Sequence, residues 1–180
     1  TNNGGVSRSR NFGINYFFDA DYITFLDGDD EITEHILIEK MTQKRSIDLF
    51  LYDYQSLFDN HNLITISDLS HSKYFSKTDL LEYLKEYAIQ PNRKRLFTMC
   101  WGKIFSVNIL KNNKEIRFDE KLQIYEDLDF VLRFLRKSKK IFYTKKPAYV
   151  YRIPQFKIEK NNSTFGERWD SFQLFSFFHA

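Results

Sequence analysis

Residues 22–30, Tyr-Ile-Thr-Phe-Leu-Asp-Gly-Asp-Asp, constrain this chain more than any other segment. An apolar, β-prone run stops abruptly at three carboxylates, Asp27, Asp29 and Asp30. Burying Tyr22, Ile23, Phe25 and Leu26 in a strand over 22–26 delivers those acids to the strand's carboxyl end. In open α/β sheets, ligands bind in the crevice outside such ends. Crowded carboxylates repel one another, so the cluster asks for a cation, and a hard divalent ion suits oxygen ligands best. A diphosphate would then occupy the remaining coordination positions. The competing reading is a polar turn, since Asp and Gly are ordinary turn residues. Alone, the segment does not separate the two.

The rest of the chain supplies the layers around that strand. Ser7 to Phe18 reads as a helix with Ile14, Phe17 and Phe18 on one side, weakened by Gly13. A helix is expected from Thr33 to Gln43, burying Ile36, Leu37 and Met41. Strands follow at 47–54 and from Leu63 to Ser67. Ser76-Lys77-Thr78-Asp79 resembles a capping box opening a helix through Ala88. Phe97 to Trp101 reads as strand, and Val107 to Lys111 as a short helix. Leu128, Val131, Leu132 and Leu135 follow the i, i+3, i+4, i+7 stripe, predicting a helix over 127–136. Lys140 to Thr144 and Ala148 to Arg152 read as a pair of strands around Lys145-Lys146-Pro147. Helices alternating with strands give an α/β layer architecture.

Composition narrows the function classes. At 180 residues the chain suits one domain with a real core. A net charge of +3 is too small to argue for nucleic acid by bulk electrostatics. The one cysteine, Cys100, has no internal partner, which fits a reducing cytoplasm. No stretch approaches the roughly 20 apolar residues of a membrane span. The chain opens at Thr1 without Met, in a polar segment, and so reads as a fragment. The Phe-rich stretch from Phe172 to Phe178 reads as an apolar helix cut short. Thirty aromatic Phe and Tyr residues, 19 and 11, suit a core and equally suit stacking against sugars or bases.

Several clusters have chemistry as one of two readings. Asp127 lies one turn before Val131 and borders the buried stripe, facing a cleft, while Glu126 aligns with Phe130 and Phe134. A catalytic base is one reading, and first-turn acids favoured by the helix dipole the other. Asp129 pairs at i+4 with Arg133 as a solvated ion pair. Gly4 to Asn11 places glycines, a hydroxyl, Arg8 and Arg10 at a helix start, suited to an anion or simply to a solvated turn. An EF-hand from Asp27 would need Gly and Glu where the chain has Ile32 and Ile38. An aspartyl-phosphate phosphatase would need Thr or Val where Glu31 stands. Arg93-Lys94-Arg95 and Arg136 to Lys140 read as solvated faces, or as contacts with anionic lipid headgroups. The four histidines, His179 included, show no ligand spacing.

In order along the chain, five segments resemble the family 2 inverting glycosyltransferases of GT-A fold, particularly bacterial enzymes of surface-polysaccharide assembly such as lipopolysaccharide. They are Asn3-Gly4-Gly5-Val6-Ser7 with Arg10, Asn11 and Gly13; Tyr22 to Asp30; Trp101-Gly102-Lys103-Ile104-Phe105; Arg117-Phe118-Asp119-Glu120 with Tyr125-Glu126-Asp127; and Tyr149-Val150-Tyr151-Arg152. The resemblance implies a Rossmann-like mixed sheet flanked by helices, with residues 1–152 as the later part of the catalytic domain and 153–180 a helical extension. It implies that Asp27 and Asp29 hold Mn2+ or Mg2+, with Asp27, Gly28 and Arg10 at the donor. Asp127 matches the general base, and Trp101 and Glu126 match positions on the acceptor side. The implied partners are a nucleotide-sugar, of the UDP class, and a saccharide or lipid-linked acceptor, met in the cytoplasm or at the inner membrane face. Family members begin with further strand–helix units that carry the uracil and ribose contacts, and this chain has none. The implied fold is therefore incomplete at its N-terminus, and the alternative function is a non-catalytic binding or scaffold module.

Overall fold

The computed structural model describes residues 4–36, 46–58, 62–91 and 94–153. Its elements are α1 (Gly5–Tyr16), β1 (Tyr22–Ile23), β2 (Glu31–Ile32), a 3-10 turn (Glu34–Ile36), β3 (Leu49–Phe58), β4 (Leu63–Ile66), β5 (Lys73–Phe75), α2 (Lys77–Ile89), β6 (Lys103–Ser106), α3 (Val107–Asn112), α4 (Glu126–Lys137) and β7 (Ile141–Ile153). Seven strands form one mixed sheet in the order β1-β6-β3-β7-β2, with β4 on β3 and β5 on β7. Only β3 and β7 run parallel; every other pair is antiparallel.

β3 forms the middle because its sequence can be buried on both faces. Leu49, Phe50, Leu51 and Tyr52 are all buried, the continuous apolar run expected of a covered strand. Leu49 and Leu51 face the larger core with Phe105, Ile141 and Tyr143, where α2 and α4 add Tyr83, Leu84, Tyr87, Phe130, Phe134 and Leu135. Phe50 and Tyr52 face a smaller cluster with Ile47, Ile104 and Ala148. α2 opens with the anticipated box: Ser76 accepts from the Asp79 N–H, and the Asp79 carboxylate accepts from the Ser76 N–H.

Several local expectations change. Phe97 to Trp101 is turn, and the strand starts at Lys103: Gly102 takes φ +63°, which breaks extended backbone there. The two strands read around Pro147 are one strand, β7, whose register against β3 slips between Thr144 and Tyr149. A bulge accommodates Lys145 and Lys146 without ending the strand. β1 pairs over two residues, and Leu26, expected in the core, is 51% exposed. Phe17, expected on the buried side of α1, is 59% exposed, whereas Ile14 is buried. β5 was not anticipated, being three residues long with Lys73 first. Of the helix expected over 33–43, a 3-10 turn forms at Glu34–Ile36, and 37–43 lies outside the described residues. The extension from 154, with Phe172 to Phe178 and His179, lies outside them too. Among the described residues, no helix is long and apolar enough to cross a membrane.

The sheet order gives the acid segment its place. β1 and β2 lie at opposite ends of the path, so residues 24–30 cross from one side of the sheet to the other. The Asp30 N–H closes the crossing onto Asp27 O at 3.1 Å.

Candidate functional site

Arg10 comes off the buried side of α1 and reaches two carboxylates at once. One amino group donates to Asp27 Oδ1 at 2.8 Å, and the other to Asp127 Oδ1 at 2.5 Å. Glu126 Oε1 stands 3.8 Å from the same guanidinium. Arg10 and Asp127 are 117 positions apart in the chain, so this meeting is tertiary. The guanidinium lies over the Phe118 ring, 5.3 Å from its centroid, and the fork geometry of Arg suits this shared grip.

Asn11 brings the remote segments together. Its side chain donates to Phe118 O at 2.9 Å and accepts the Phe118 N–H at 2.8 Å, mimicking a strand pair. It donates to Glu120 Oε1 as well, at 3.2 Å. Phe118 stacks on Phe130 of α4, 4.1 Å apart and 8° from parallel. The hook fixes α1 against the segment that leads into α4, at whose first turn Asp127 lies.

Asp127 is buried, as its position beside the apolar stripe required. Its second oxygen accepts the Cys100 N–H at 3.0 Å. Tyr125, at φ +70°, turns the chain sharply into α4 and no side chain caps that end, so the first-turn acids face the helix's free N–H groups. Asp129 and Arg133 do pair, but Arg133 also donates to Glu115 O at 2.8 Å and to Arg117 O. That pair therefore anchors the 115–117 segment and is more than a solvated contact.

Beyond Cys100 the chain enters an aromatic wall. Trp101 stacks between Tyr149 and Tyr151, at 4.5 Å and 5.5 Å, with Tyr54 edge-on at 4.9 Å. This leaves Trp101 only 6% exposed, so the ring is a buried part of the wall. Behind it, Lys103 is buried and donates to Trp101 O at 3.3 Å. Burial pulls its ammonium down to about 8, against the neighbouring charges of Asp127 and Asp68. Burial likewise pushes the Cys100 thiol well up, so it stays protonated beside Asp127.

Within the acid turn the four residues divide. Asp29 and Gly28 are exposed at the mouth, and Asp27 is half-buried against Arg10. Asp30 is buried, accepting from the Tyr149 hydroxyl at 2.7 Å and the Arg152 N–H at 2.9 Å. Desolvation raises its pKa, and those two donors oppose the rise. A cavity of about 590 Å³ opens between α1 and β1, with Arg10, Asp27 and Gly28 in its wall and Ile14, Phe17 and Phe25 giving it an apolar side.

The structure thus gathers Asp27, Glu126 and Asp127 around the Arg10 guanidinium, with Gly28 and Asp29 exposed beside them, whereas Trp101 lines a separate small pocket with Tyr54, Arg95 and Lys103. Arg8 makes no such approach. Sequence reasoning counted Asp30 in the acid cluster, named Asn11 and Tyr149 without a role, and missed the Cys100 N–H. A third acid following the Asp27-Gly28-Asp29 triplet was the visible signal for Asp30; a backbone N–H leaves none. Among the described residues no three His, Cys, Asp or Glu side chains converge as a metal cage.

Comparison with known proteins bears on this arrangement. The family described as Glycosyl transferase family 2 matches residues 1–112, which include α1, the acid turn and the Trp101 segment but not α4. The minor teichoic acid biosynthesis protein GgaB of Bacillus subtilis (strain 168) is 32% identical over 158 residues, covering 84% of this chain and 16% of GgaB. The S. aureus TarS 1-349 structure with UDP superposes with a TM-score of 0.63 at 19% identity, covering 85% of this chain and 41% of that one. Its complex with UDP-GlcNAc gives 0.61 at 18% identity, covering 83% and 39%. The chain therefore spans about a sixth of GgaB and two fifths of the TarS fragment. The mixed sheet flanked by helices is the GT-A fold of these neighbours. By sequence and by fold, this chain belongs to glycosyl transferase family 2.

Proposed function

We propose that the protein containing this chain transfers a sugar, with inversion, from a nucleotide-sugar to a hydroxyl of a saccharide or lipid-linked acceptor. The observation that supports this reading is the Arg10 bridge, which holds Asp27 and Asp127 on one guanidinium. Two roles need two carboxylates, one beside the leaving diphosphate and one beside the attacking hydroxyl. TarS in complex with UDP and UDP-GlcNAc favours a UDP-sugar as donor. The name of GgaB favours a teichoic-acid-type polymer, rather than lipopolysaccharide, as the product class. A nucleotide-sugar and a lone buried thiol suit the cytoplasmic side of the membrane.

The acid turn fits a divalent ion of one particular kind. Two carboxylates, with no three such side chains converging among the described residues, suit Mg2+ or Mn2+ that arrives with phosphate oxygens and keeps its waters. Asp29 and Asp27 would hold it, and when bound it neutralises the diphosphate. Arg10 turns its fork to the same diphosphate. Asp127, steadied at Oδ2 by the Cys100 N–H, takes the acceptor proton at Oδ1. The freed oxygen attacks the anomeric carbon from the face opposite the diphosphate, which departs with the bonding electron pair. Glu126, beside the same guanidinium, lines the acceptor approach.

Calorimetry on the whole protein tests this reading. UDP should bind only with Mn2+ or Mg2+, and Asp29→Asn should remove that dependence. The transferred sugar should carry the opposite anomeric configuration by NMR. Absence of UDP binding, with or without metal, would overturn the donor assignment and favour a scaffold role.

A further inference from the structure

Tyr149 has none of the roles above, yet it touches both the acid turn and the Trp101 wall. It lies on β7 at 0% exposure. Its hydroxyl accepts the Asp27 N–H at 3.2 Å and donates to Asp30 Oδ2 at 2.7 Å. Its ring lies flat on Trp101, 12° from parallel. Trp101 follows Cys100, whose N–H holds Asp127. A track of packing and hydrogen bonds therefore joins Asp127 to the acid turn without passing through Arg10.

The turn needs such a hold. It is strung between strands of two residues each, and its own backbone closure is the single Asp30-to-Asp27 bond. Asp27 and Asp29 must point to the mouth together, and Gly28 between them adds no side chain to restrain them. A phenol donates and accepts at one atom, so it can hold a backbone N–H and a carboxylate side by side. The far side fits closely as well: a Cβ on Gly102 would sit 3.6 Å from the Tyr149 Cβ.

We propose that Tyr149 is a positioning residue that fixes the acid turn for metal–diphosphate binding and registers it against the Trp101 wall. This rests on the donor role proposed for the turn. Removing an outer-shell hydrogen bond of this sort typically weakens metal binding roughly tenfold or more.

Tyr149→Phe is the test, since it keeps the ring and its stack and removes one oxygen. A matched control sits on the same strand: Tyr143, equally buried, whose hydroxyl bonds Asp53 instead. In the whole protein, Tyr149→Phe should weaken Mn2+–UDP binding by about tenfold or more and raise the donor KM without moving the acceptor KM. Tyr143→Phe should leave both unchanged. Amide exchange at residues 27–30 should quicken in Tyr149→Phe alone, and adding Asp30→Asn should cost little more, as expected for groups that act as one unit. Equal donor affinity in the two Phe variants, or unchanged exchange at 27–30, overturns the proposal while the donor reading stands. A wild-type protein that binds no Mn2+–UDP overturns both.

Discussion

Asp127 is carried by a helix whose inner face is core, whereas Asp27 and Asp29 sit on a turn between two-residue strands. On α4, Leu128, Phe130, Val131, Phe134 and Leu135 are buried in succession, and packing fixes the carboxylate. On the acid turn, beyond the buried Phe25, Leu26 and Asp29 face solvent and the ties are polar: Arg10 on the Asp27 carboxylate, Tyr149 on the Asp27 N–H and the Arg152 N–H on Asp30. The difference suits the chemistry proposed for each corner. A base must be aimed to within a few tenths of an ångström, which rigid elements do best. A turn that admits an ion and a diphosphate benefits from side-chain ties that can re-form around them.

The contrast breaks most readily at the base. Asp127→Asn keeps the acceptor for the Cys100 N–H but cannot take a proton. The proposed role predicts a loss of transfer by roughly 10²–10⁴-fold, with UDP affinity nearly unchanged. Steady-state rates and calorimetry on the same preparation check it; turnover retained within a few fold would remove Asp127 from that role. Next in size is the packing under it. Phe130 is fully buried, stacked on Phe118 and edge-on to Phe25 and Phe105. Phe130→Ala should cost about 3–5 kcal/mol in denaturant unfolding. A cost under 1 kcal/mol would mean that α4 is not anchored as described.

The same contrast explains what the sequence revealed. α4 was legible because an apolar stripe at helical period is a direct record of burial, and α2 because its cap is local. The acid run was legible as chemistry but not as geometry. Nothing in Tyr22 to Leu26 states that pairing stops after Ile23, for β6 itself runs on through Ile104 to Lys103. The strand read over 97–101 failed for a related reason: Phe97, Cys100 and Trp101 are buried by tertiary packing while the backbone turns toward Gly102. Arg10, Asp27 and Asp127 could be named from the resemblance, yet their meeting depends on Asn11 and Phe118, whose backbone bonds leave no pattern in the chain.

Lys103 sharpens the comparison from the packed side. Its folded-state pKa, about 8, lies below the ordinary 10.5 because burial disfavours the ammonium. Below pH 8 both folded and unfolded chains hold the proton, and the burial cost is constant. Between about 8 and 10.5 the unfolded chain keeps a proton that the folded one has released, so stability rises with pH. Measured as wild type minus Lys103→Met, which cancels the other titrating groups, the rise should be on the order of 3 kcal/mol. A flat difference across that range would show that Lys103 reaches solvent and that the wall behind Trp101 is open.

Asn11 gives the smallest effect and the finest probe, because it ties the two regions together. Asn11→Ala leaves the Phe118 N–H and C=O without their side-chain partner, which should cost about 1–2 kcal/mol. Asn11→Asp is the more pointed variant. It can still accept the Phe118 N–H, but it cannot donate to Phe118 O and it sets a second carboxylate beside Glu120. If the hook works through both bonds, Asp should be no better than Ala, and worse at low salt, where like charges repel most. If the single N–H bond were enough, Asn11→Asp would match wild type in unfolding free energy. α1 would then be held to the α4 side by Arg10, the Arg117–Asn15 bonds and core packing, and the bond from Asn11 to Phe118 O would be redundant.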